Sequence, residues 1–398
     1  MIKIEDKSKC CGCWACSNIC PKKCITMQED AEGFRYPSVD NKLCIECGLC
    51  IKVCPQLHKE SSDQKPLSFI IQQKNSDILR HSTSGGFFSA ISKYAIKNKG
   101  VVFGAAFNKQ MELYHQYSET LEGCAKFRGS KYVQSIIGTS FQQAKNFLDK
   151  GRIVVFSGTP CQIAGLHYYL KQKEYSNLIT VDLVCHGVPS PLLQKKYFEY
   201  HTLKSNSKII NYLSRDKYYG YNFSTATIQF ENPNIQYHKG MEADIMLRLY
   251  FKNICSRPCC YSCHFKTLHR VSDFTIFDCW DARSTANFFN KHGATNVLIH
   301  SKKGQNIFEV IKQDFKYAAS NLEKTINTDG DMILKSVPKN PYRENFFKDL
   351  NSLDFEETIH KYLGNSKVKA LIAYLKPLLY RIGVFNLYMR IKSLKKVQ

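Results

Sequence analysis

Apolar residues recur at helical spacing through SGGFFSAISKYAIKNK (84–99), which predicts a helix with Ser84 as its N-cap and Gly100 just past its end, feeding a strand at VVFGAAF. The alternation is clearer further on, with a helix at TSFQQAKNFLDK, a strand at RIVVFSG, a helix at TPCQIAGLHYYLK, a strand at LITVDLVC and a helix at SPLLQKKYFEYH. That order predicts at least two parallel strands in one sheet. Further strands are expected between about 208 and 230 and at VSDFTIFDCWD and TNVLIHS, with a helix over 242–253, so the core is mixed rather than doubly wound throughout.

At 398 residues the chain should hold two or three domains. The fold class expected is α+β: a small N-terminal module (1–60), a polar linker (61–66), a larger mixed α/β domain (67–340) and a basic helical tail (341–398). The most apolar stretch, 368–389, is interrupted by Lys376, Pro377 and Arg381, which disfavours a spanning helix. The start, MIKIEDKSKC, lacks a signal-like apolar region, so the 18 cysteines are expected to be reduced thiols of a cytoplasmic protein rather than a disulfide scaffold.

A formal charge of +22 suggests nucleic acid, but the basic residues are spread along the chain and form no recognised nucleic-acid motif. Anionic clusters, an anionic cofactor, an acidic partner or a membrane surface account for it equally well. Beyond Glu357 there is no acidic residue, only Lys and Arg among apolar positions. Such a tail either lies peripherally on an anionic membrane or, as amphipathic helices more often do, buries its stripe in its own protein.

The strongest signal is a repeat: Cys10-x2-Cys13-x2-Cys16-x3-Cys20-Pro21 recurs as Cys44-x2-Cys47-x2-Cys50-x3-Cys54-Pro55. In two-cluster ferredoxins three close thiolates hold three corners of a four-iron cube, and the fourth cysteine of each run crosses to the other cube. This spacing assigns Cys10, Cys13, Cys16 and Cys54 to one [4Fe–4S] cluster, and Cys44, Cys47, Cys50 and Cys20 to a second. Zinc knuckles do not require a doubled run with proline after each fourth cysteine. Cys11 and Cys24 read as packing residues, because only Cys10 reproduces the spacing of the second run.

Cys161 follows the strand RIVVFSG and Cys185 ends LITVDLVC. If those strands are parallel neighbours, both thiols emerge at the edge where α/β sheets bind ligands. Thr159 and Pro160 read as N-cap and first helical residue, which puts Cys161 in a first turn that favours negative charge. With Cys260 and Cys263 these form a candidate third [4Fe–4S] set; spacing alone equally allows core thiols beside a redox dithiol or half a zinc site, with Cys255 and Cys259 as rival ligands. Cys124 and Cys279 read as packing.

Ser84, Gly85 and Gly86 at a helix start, with Ser130, Lys131 and Tyr132 on a loop and Thr159 at its cap, offer amides, hydroxyls, a cation and a ring to a flavin; each also suits an ordinary turn. Lys131 is the candidate to hold the reduced flavin's negative charge, and His186 to supply protons, although a histidine at a strand end is more often a structural hydrogen-bonder. No G-x-G-x-x-G follows a strand, and there is no Walker loop, Ser-His-Asp signature or H-E-x-x-H.

Taken in order, CCGCWACSNICP, GFRYPSVD, STSGGFFSAI, GSKYVQS, SGTPCQIAGL, DLVCHGVPSP, RPCCYSC and SDFTIFDCWD resemble the beta-subunit family of coenzyme F-420 hydrogenase/dehydrogenase with a fused dicluster ferredoxin. The resemblance implies FAD and a third [4Fe–4S] cluster in the large domain, on Cys161, Cys185, Cys260 and Cys263. It further implies an iron–sulfur flavoprotein oxidoreductase passing electrons between its clusters and a flavin that exchanges hydride with a deazaflavin or other organic donor or acceptor, with an external ferredoxin or redox protein as partner. The chain departs from the family's usual Gly-Asp-x-Trp-Gly, having Phe277-Asp278-Cys279-Trp280-Asp281, and it has Cys259 where a small residue is usual. The alternative expectation is a non-catalytic electron-transfer subunit or scaffold, in polysaccharide biosynthesis for example.

Overall fold

The computed structural model describes residues 1–58, 65–280, 286, 292–364, 367–382 and 384. Of the expected linker, residues 61–64 lie outside the described residues, as do Asp281 of the FDCWD segment and residues 385–398 of the expected tail.

In the N-terminal module the two cysteine runs flank a hairpin of β1 (Ile25–Glu29) and β2 (Arg35–Val39). Each run leads into a short helix, Ala15–Ile19 and Leu49–Lys52. The repeat extends to backbone conformation, since Gly12 and Trp14 have φ of 67° and 68°, and their counterparts Glu46 and Gly48 have 52° and 72°. Both loops therefore turn left-handed at the same two steps, although only one residue of each pair is the glycine for which that is inexpensive.

Eight strands form the main sheet: β3 (Leu67–Gln73), β4 (Val101–Phe107), β5 (Leu113–Ser118), β6 (Val154–Gly158), β7 (Leu178–Leu183), β11 (Phe274–Asp278), β12 (Thr295–Ile299) and β13 (Phe315–Ala319), in the order β13-β3-β12-β11-β7-β6-β4-β5. The middle four, β11, β7, β6 and β4, are parallel, and antiparallel pairs extend both flanks. The two strands read as parallel neighbours from their pattern, β6 and β7, are so. Successive residues of β4 serve opposite faces. Val101 and Phe103 pack with Phe141, Ile163 and Leu166 from helices Ser140–Asp149 and Pro160–Tyr169, while Val102 and Ala106 pack with Phe87 and Ile91 from helix Phe87–Lys97.

The helix expected from Ser84 begins at Phe87, with Gly86 (φ +85°) in the N-cap position. Ser84 does not cap it, because its hydroxyl is bonded to the Asp278 carboxylate. Strands β3, β5 and β13 of the main sheet have no counterpart in the pattern of the sequence.

A second, antiparallel sheet of β8 (Ile209–Asp216), β9 (Thr225–Phe230) and β10 (Gln236–Gly240) carries an aromatic core with helix Pro191–Ser205. Phe34 and Tyr36 of the N-terminal module, and Phe346 and Phe347 of helix Arg343–Ser352, belong to that same core. Arg343, nearly fully buried, donates from Nη1 to Glu32 Oε1 at 2.8 Å. The module is thereby tied by apolar packing and by a shielded ion pair. No helix of the described residues is long and apolar enough to cross a membrane.

Candidate functional site

Wrapping by the two runs brings Cys10, Cys13, Cys16 and Cys54 together: burial first, then the neighbouring Cys10 and Cys54, push the Cys16 thiol well up, and Cys13 likewise lies beside Cys16 and Cys54. Around the other concavity stand Cys20, Cys44, Cys47 and Cys50. In each group the fourth cysteine comes from the opposite run, the crossing-over that the spacing predicts. Cys24 joins the second group, its Sγ 3.3 Å from that of Cys20, so five thiols face that space. Among the described residues no three His, Cys, Asp or Glu side chains converge as they would on a single ion.

Cys161 and Cys185 leave the carboxyl ends of β6 and β7 side by side, as parallel strands require. Thr159 and Gln162 form a capping box, Pro160 occupies the first turn, and Thr159 Oγ1 lies 3.1 Å from Cys161 Sγ. Cys260 lies in the turn Pro258–Ser262 and Cys263 directly follows it, and all four thiols line one pocket with Lys266. Lys266 donates to the Cys185 carbonyl, which sets a cation beside the group. Cys259 and Cys11 line the same pocket; Cys255, fully buried in the aromatic core, does not. Cys11 is more than a packing residue, since it lines one pocket with Cys161 and its thiol is close enough to those of Cys13 and Cys161 for each to shift the other's titration. The first and third cysteine groups are thus in contact through one side chain.

Beyond Cys161 and Cys185 opens a cavity of about 640 Å³ at the carboxyl ends of the parallel strands. That volume is within the roughly 300–1,000 Å³ of sites for organic ligands. Ser84, Gly86, Ser130, Lys131, Tyr132, Thr159 and His186 all line it. Gly85 does not: its amide donates to Thr295 Oγ1 at 2.7 Å, and a Cβ there would meet the Ile71 carbonyl at 2.4 Å, so this glycine serves close packing on the sheet rather than ligand approach. Lys131 Nζ donates to the Arg128 and Lys126 carbonyls at 2.6 and 2.9 Å, and burial pulls its ammonium down to about 7. His186 Nε2 lies 2.7 Å from Asn253 Oδ1, its ring packs on Tyr250 and Phe251, and burial lowers its basicity.

Arg215 and His115 also belong to the wall and were not singled out in the sequence. Asp278 accepts from Ser84 and Arg215, and Arg215 lies over the Trp280 ring at 4.5 Å, so the segment that departs from Gly-Asp-x-Trp-Gly is braced by side chains. His115 is sealed beneath, within 3.0 Å of Ser135 Oγ and 2.9 Å of the Ser157 carbonyl, and burial holds it down to about 4. No local motif marks Arg215 or His115, because their partners come from distant strands.

Residues 151–325 match the family model for the C terminus of the coenzyme F420 hydrogenase/dehydrogenase beta subunit, and residues 9–57 match the 4Fe-4S dicluster domain. The region 151–325 is related to the beta-subunit family. The N-terminal module is a dicluster ferredoxin domain, and the chain is an iron–sulfur electron-transfer protein related to the F420 hydrogenase beta subunit. The module is 43% identical over 60 residues to NADH-quinone oxidoreductase subunit I 2 of Geobacter metallireducens, covering 14% of this chain and 46% of that protein. It is 36% identical over 52 residues to an uncharacterized ferredoxin of Methanocaldococcus jannaschii, covering 13% of this chain and 66% of that protein. The chain therefore spans about half to two thirds of the length of these relatives. A structure described as a xenon derivatization of the F420-reducing [NiFe] hydrogenase complex from Methanosarcina barkeri aligns with a TM-score of 0.45 at 18% identity, over 72% of this chain and 99% of that one.

Proposed function

We propose that the chain is an iron–sulfur flavoprotein oxidoreductase in which an organic hydride donor or acceptor, of the deazaflavin or a related class, meets the large cavity, and single electrons leave through the cysteine groups to a redox-partner protein. The observation that carries this reading is Cys11, which lines one pocket with Cys161 while the helix bearing Cys161 packs at Gly165 against Cys13, so that the cavity wall adjoins the ferredoxin module. Cys161, Cys185, Cys260 and Cys263 would hold a third [4Fe–4S] cluster between the cavity and the module.

When bound, FAD supplies the conversion between hydride and single electrons. The residues present fit such a group. Ser84, Ser130 and Thr159 present hydroxyls, Gly86 opens a helix amino end without a Cβ, and Tyr132 presents a ring packed at a tilt against Tyr250, centroids 4.7 Å apart. Lys131, held by two carbonyls, is the cation set to meet an anionic ring or phosphate. His186, anchored by Asn253 between the third cysteine group and the cavity, belongs to this proposal as the group that passes protons.

The test is iron and flavin per chain on protein purified without oxygen, alongside Cys185→Ser and Cys263→Ser. About twelve irons with one FAD is the expected wild-type result, falling to about eight in either variant. About eight irons and no flavin in the wild type would instead support a non-catalytic electron-transfer subunit.

A further inference from the structure

Three arginines among the described residues are buried. Arg215 is paired with Asp278 and Arg343 with Glu32, but among the described residues no carboxylate lies within ion-pairing distance of Arg257, which has no exposed surface. An uncompensated guanidinium in a protein interior costs several kcal/mol, so its location demands an anion. The ionisable groups around it are the thiols of Cys10, Cys11 and Cys259 and the Tyr36 phenol. Its donors are held by neutral oxygens, with one also directed at a thiol. Nε donates to the Cys10 carbonyl at 2.8 Å, Nη1 to Gln134 Oε1 at 2.8 Å, and Nη2 to the Arg35 carbonyl at 3.0 Å and towards Cys10 Sγ at 3.5 Å. The guanidinium also lies over the Tyr36 ring at 4.2 Å.

A separate observation shows that the sequence makes room for it. A Cβ on Gly12 would stand 2.9 Å from Arg257 Nη1, whereas the equivalent place in the second run, Glu46, is exposed and carries a full side chain. The two runs differ at this step because the large domain inserts a cation at only one of them.

We propose that Arg257 is the shared counter-charge of the first and third cysteine groups, a positioning residue that raises the reduction potential of the clusters they hold and couples that potential to docking of the ferredoxin module. The inference rests on the cluster reading above. Each cluster gains one negative charge on accepting one electron from an external reductant, and a fixed cation with a hydrogen bond to a ligand sulfur favours the reduced form.

The experiment is an EPR-monitored reductive titration of the full chain, purified without oxygen and with its iron counted, for wild type, Arg257→Gln and Gln134→Glu. Gln134→Glu leaves the arginine in place and neutralises it, so it decides the matter if Arg257→Gln does not fold. Both substitutions are expected to lower the potentials of the first and third clusters by at least a tenfold change in the reduction equilibrium, about 59 mV for one electron, leaving the Cys44 group unmoved. Wild-type iron content with unchanged potentials, or an equal shift of all clusters, overturns the proposal. Absence of iron from the wild type overturns the cluster reading itself, and the iron count tells the two failures apart.

Discussion

Gly165 lies against Cys13: a Cβ built on Gly165 would stand 2.9 Å from the Cys13 Cβ and 3.1 Å from its Sγ. Four residues earlier the same helix, Pro160–Tyr169, carries Cys161 at its amino end. One short helix therefore touches the third cysteine group with its first turn and the ferredoxin module with its second. The distance between the two groups is set by helix geometry rather than by a loop.

Gly165→Ala tests that contact with a sign opposite to ordinary expectation. In a free helix the change would stabilise by about 1 kcal/mol. Here overpacking against Cys13 costs about 1–3 kcal/mol and wins, because the neighbouring atoms belong to a packed module rather than to a mobile side chain tip. Thermal unfolding is expected to shift down; an upward shift would show that the module sits more loosely than the contact implies.

Much of this architecture was legible in the sequence where signals were local. The twin cysteine runs defined the module, the βα alternation located β6 and β7, and Thr159-Pro160 marked the start of the helix that bears Cys161. What the pattern missed depends on distant partners. Nothing near Cys11 indicates that it meets Cys161, or near Arg257 that it meets Cys10, since those contacts join segments that only the folded chain brings together. Ser84 resembled an N-cap because hydroxyl residues favour that place, but Asp278 competes for the hydroxyl and wins. Strand β3, a short apolar run without helix caps, gave periodicity nothing to decide on.

Lys131 gives the proposed cofactor site a pH dependence. Burial holds its free-state value down to about 7, and an anionic ligand favours the ammonium, raising that value in the bound state. Binding above neutrality must then take up a proton. Flavin affinity is therefore full below about pH 7 and falls by up to about tenfold per unit as pH rises, until the bound-state value is reached. Fluorescence titration of the flavin-depleted chain from about pH 6 to about pH 9 measures this. Lys131→Met should weaken binding at low pH and flatten the profile; an unchanged profile in the variant would remove Lys131 from the site.

Electrons need an exposed edge to leave by, and the second cysteine group offers one. Cys47 is exposed beside Leu43 and Ile45, which are 55% and 57% exposed, and the exposed lysines 22, 23, 42 and 52 occupy the same loops with Glu46. An apolar centre within a mainly basic rim fits a small acidic electron carrier. Stopped-flow electron exchange with an acidic ferredoxin should slow as salt screens the rim, and Ile45→Glu should slow it about tenfold or more by setting a like charge at the centre. Equal rates for wild type and variant would place the port elsewhere.

The last described helix, Lys367–Arg381, bears on the reading of a peripheral membrane contact. Leu371, Leu375, Leu378 and Ile382 are exposed, three or four residues apart, and so share one face. The Lys376 ammonium reaches back to Glu242 at 2.6 Å, which holds the helix to the large domain while that face stays uncovered. If the face lies on an anionic bilayer, each leucine contributes about 1.5 kcal/mol, roughly tenfold in partitioning. Leu371→Glu with Leu378→Glu in the full chain should then reduce co-sedimentation with phosphatidylglycerol vesicles by about a hundredfold or more, with cluster content unchanged. Equal binding by wild type and variant, or none by the wild type, would mean that the stripe serves another surface of protein.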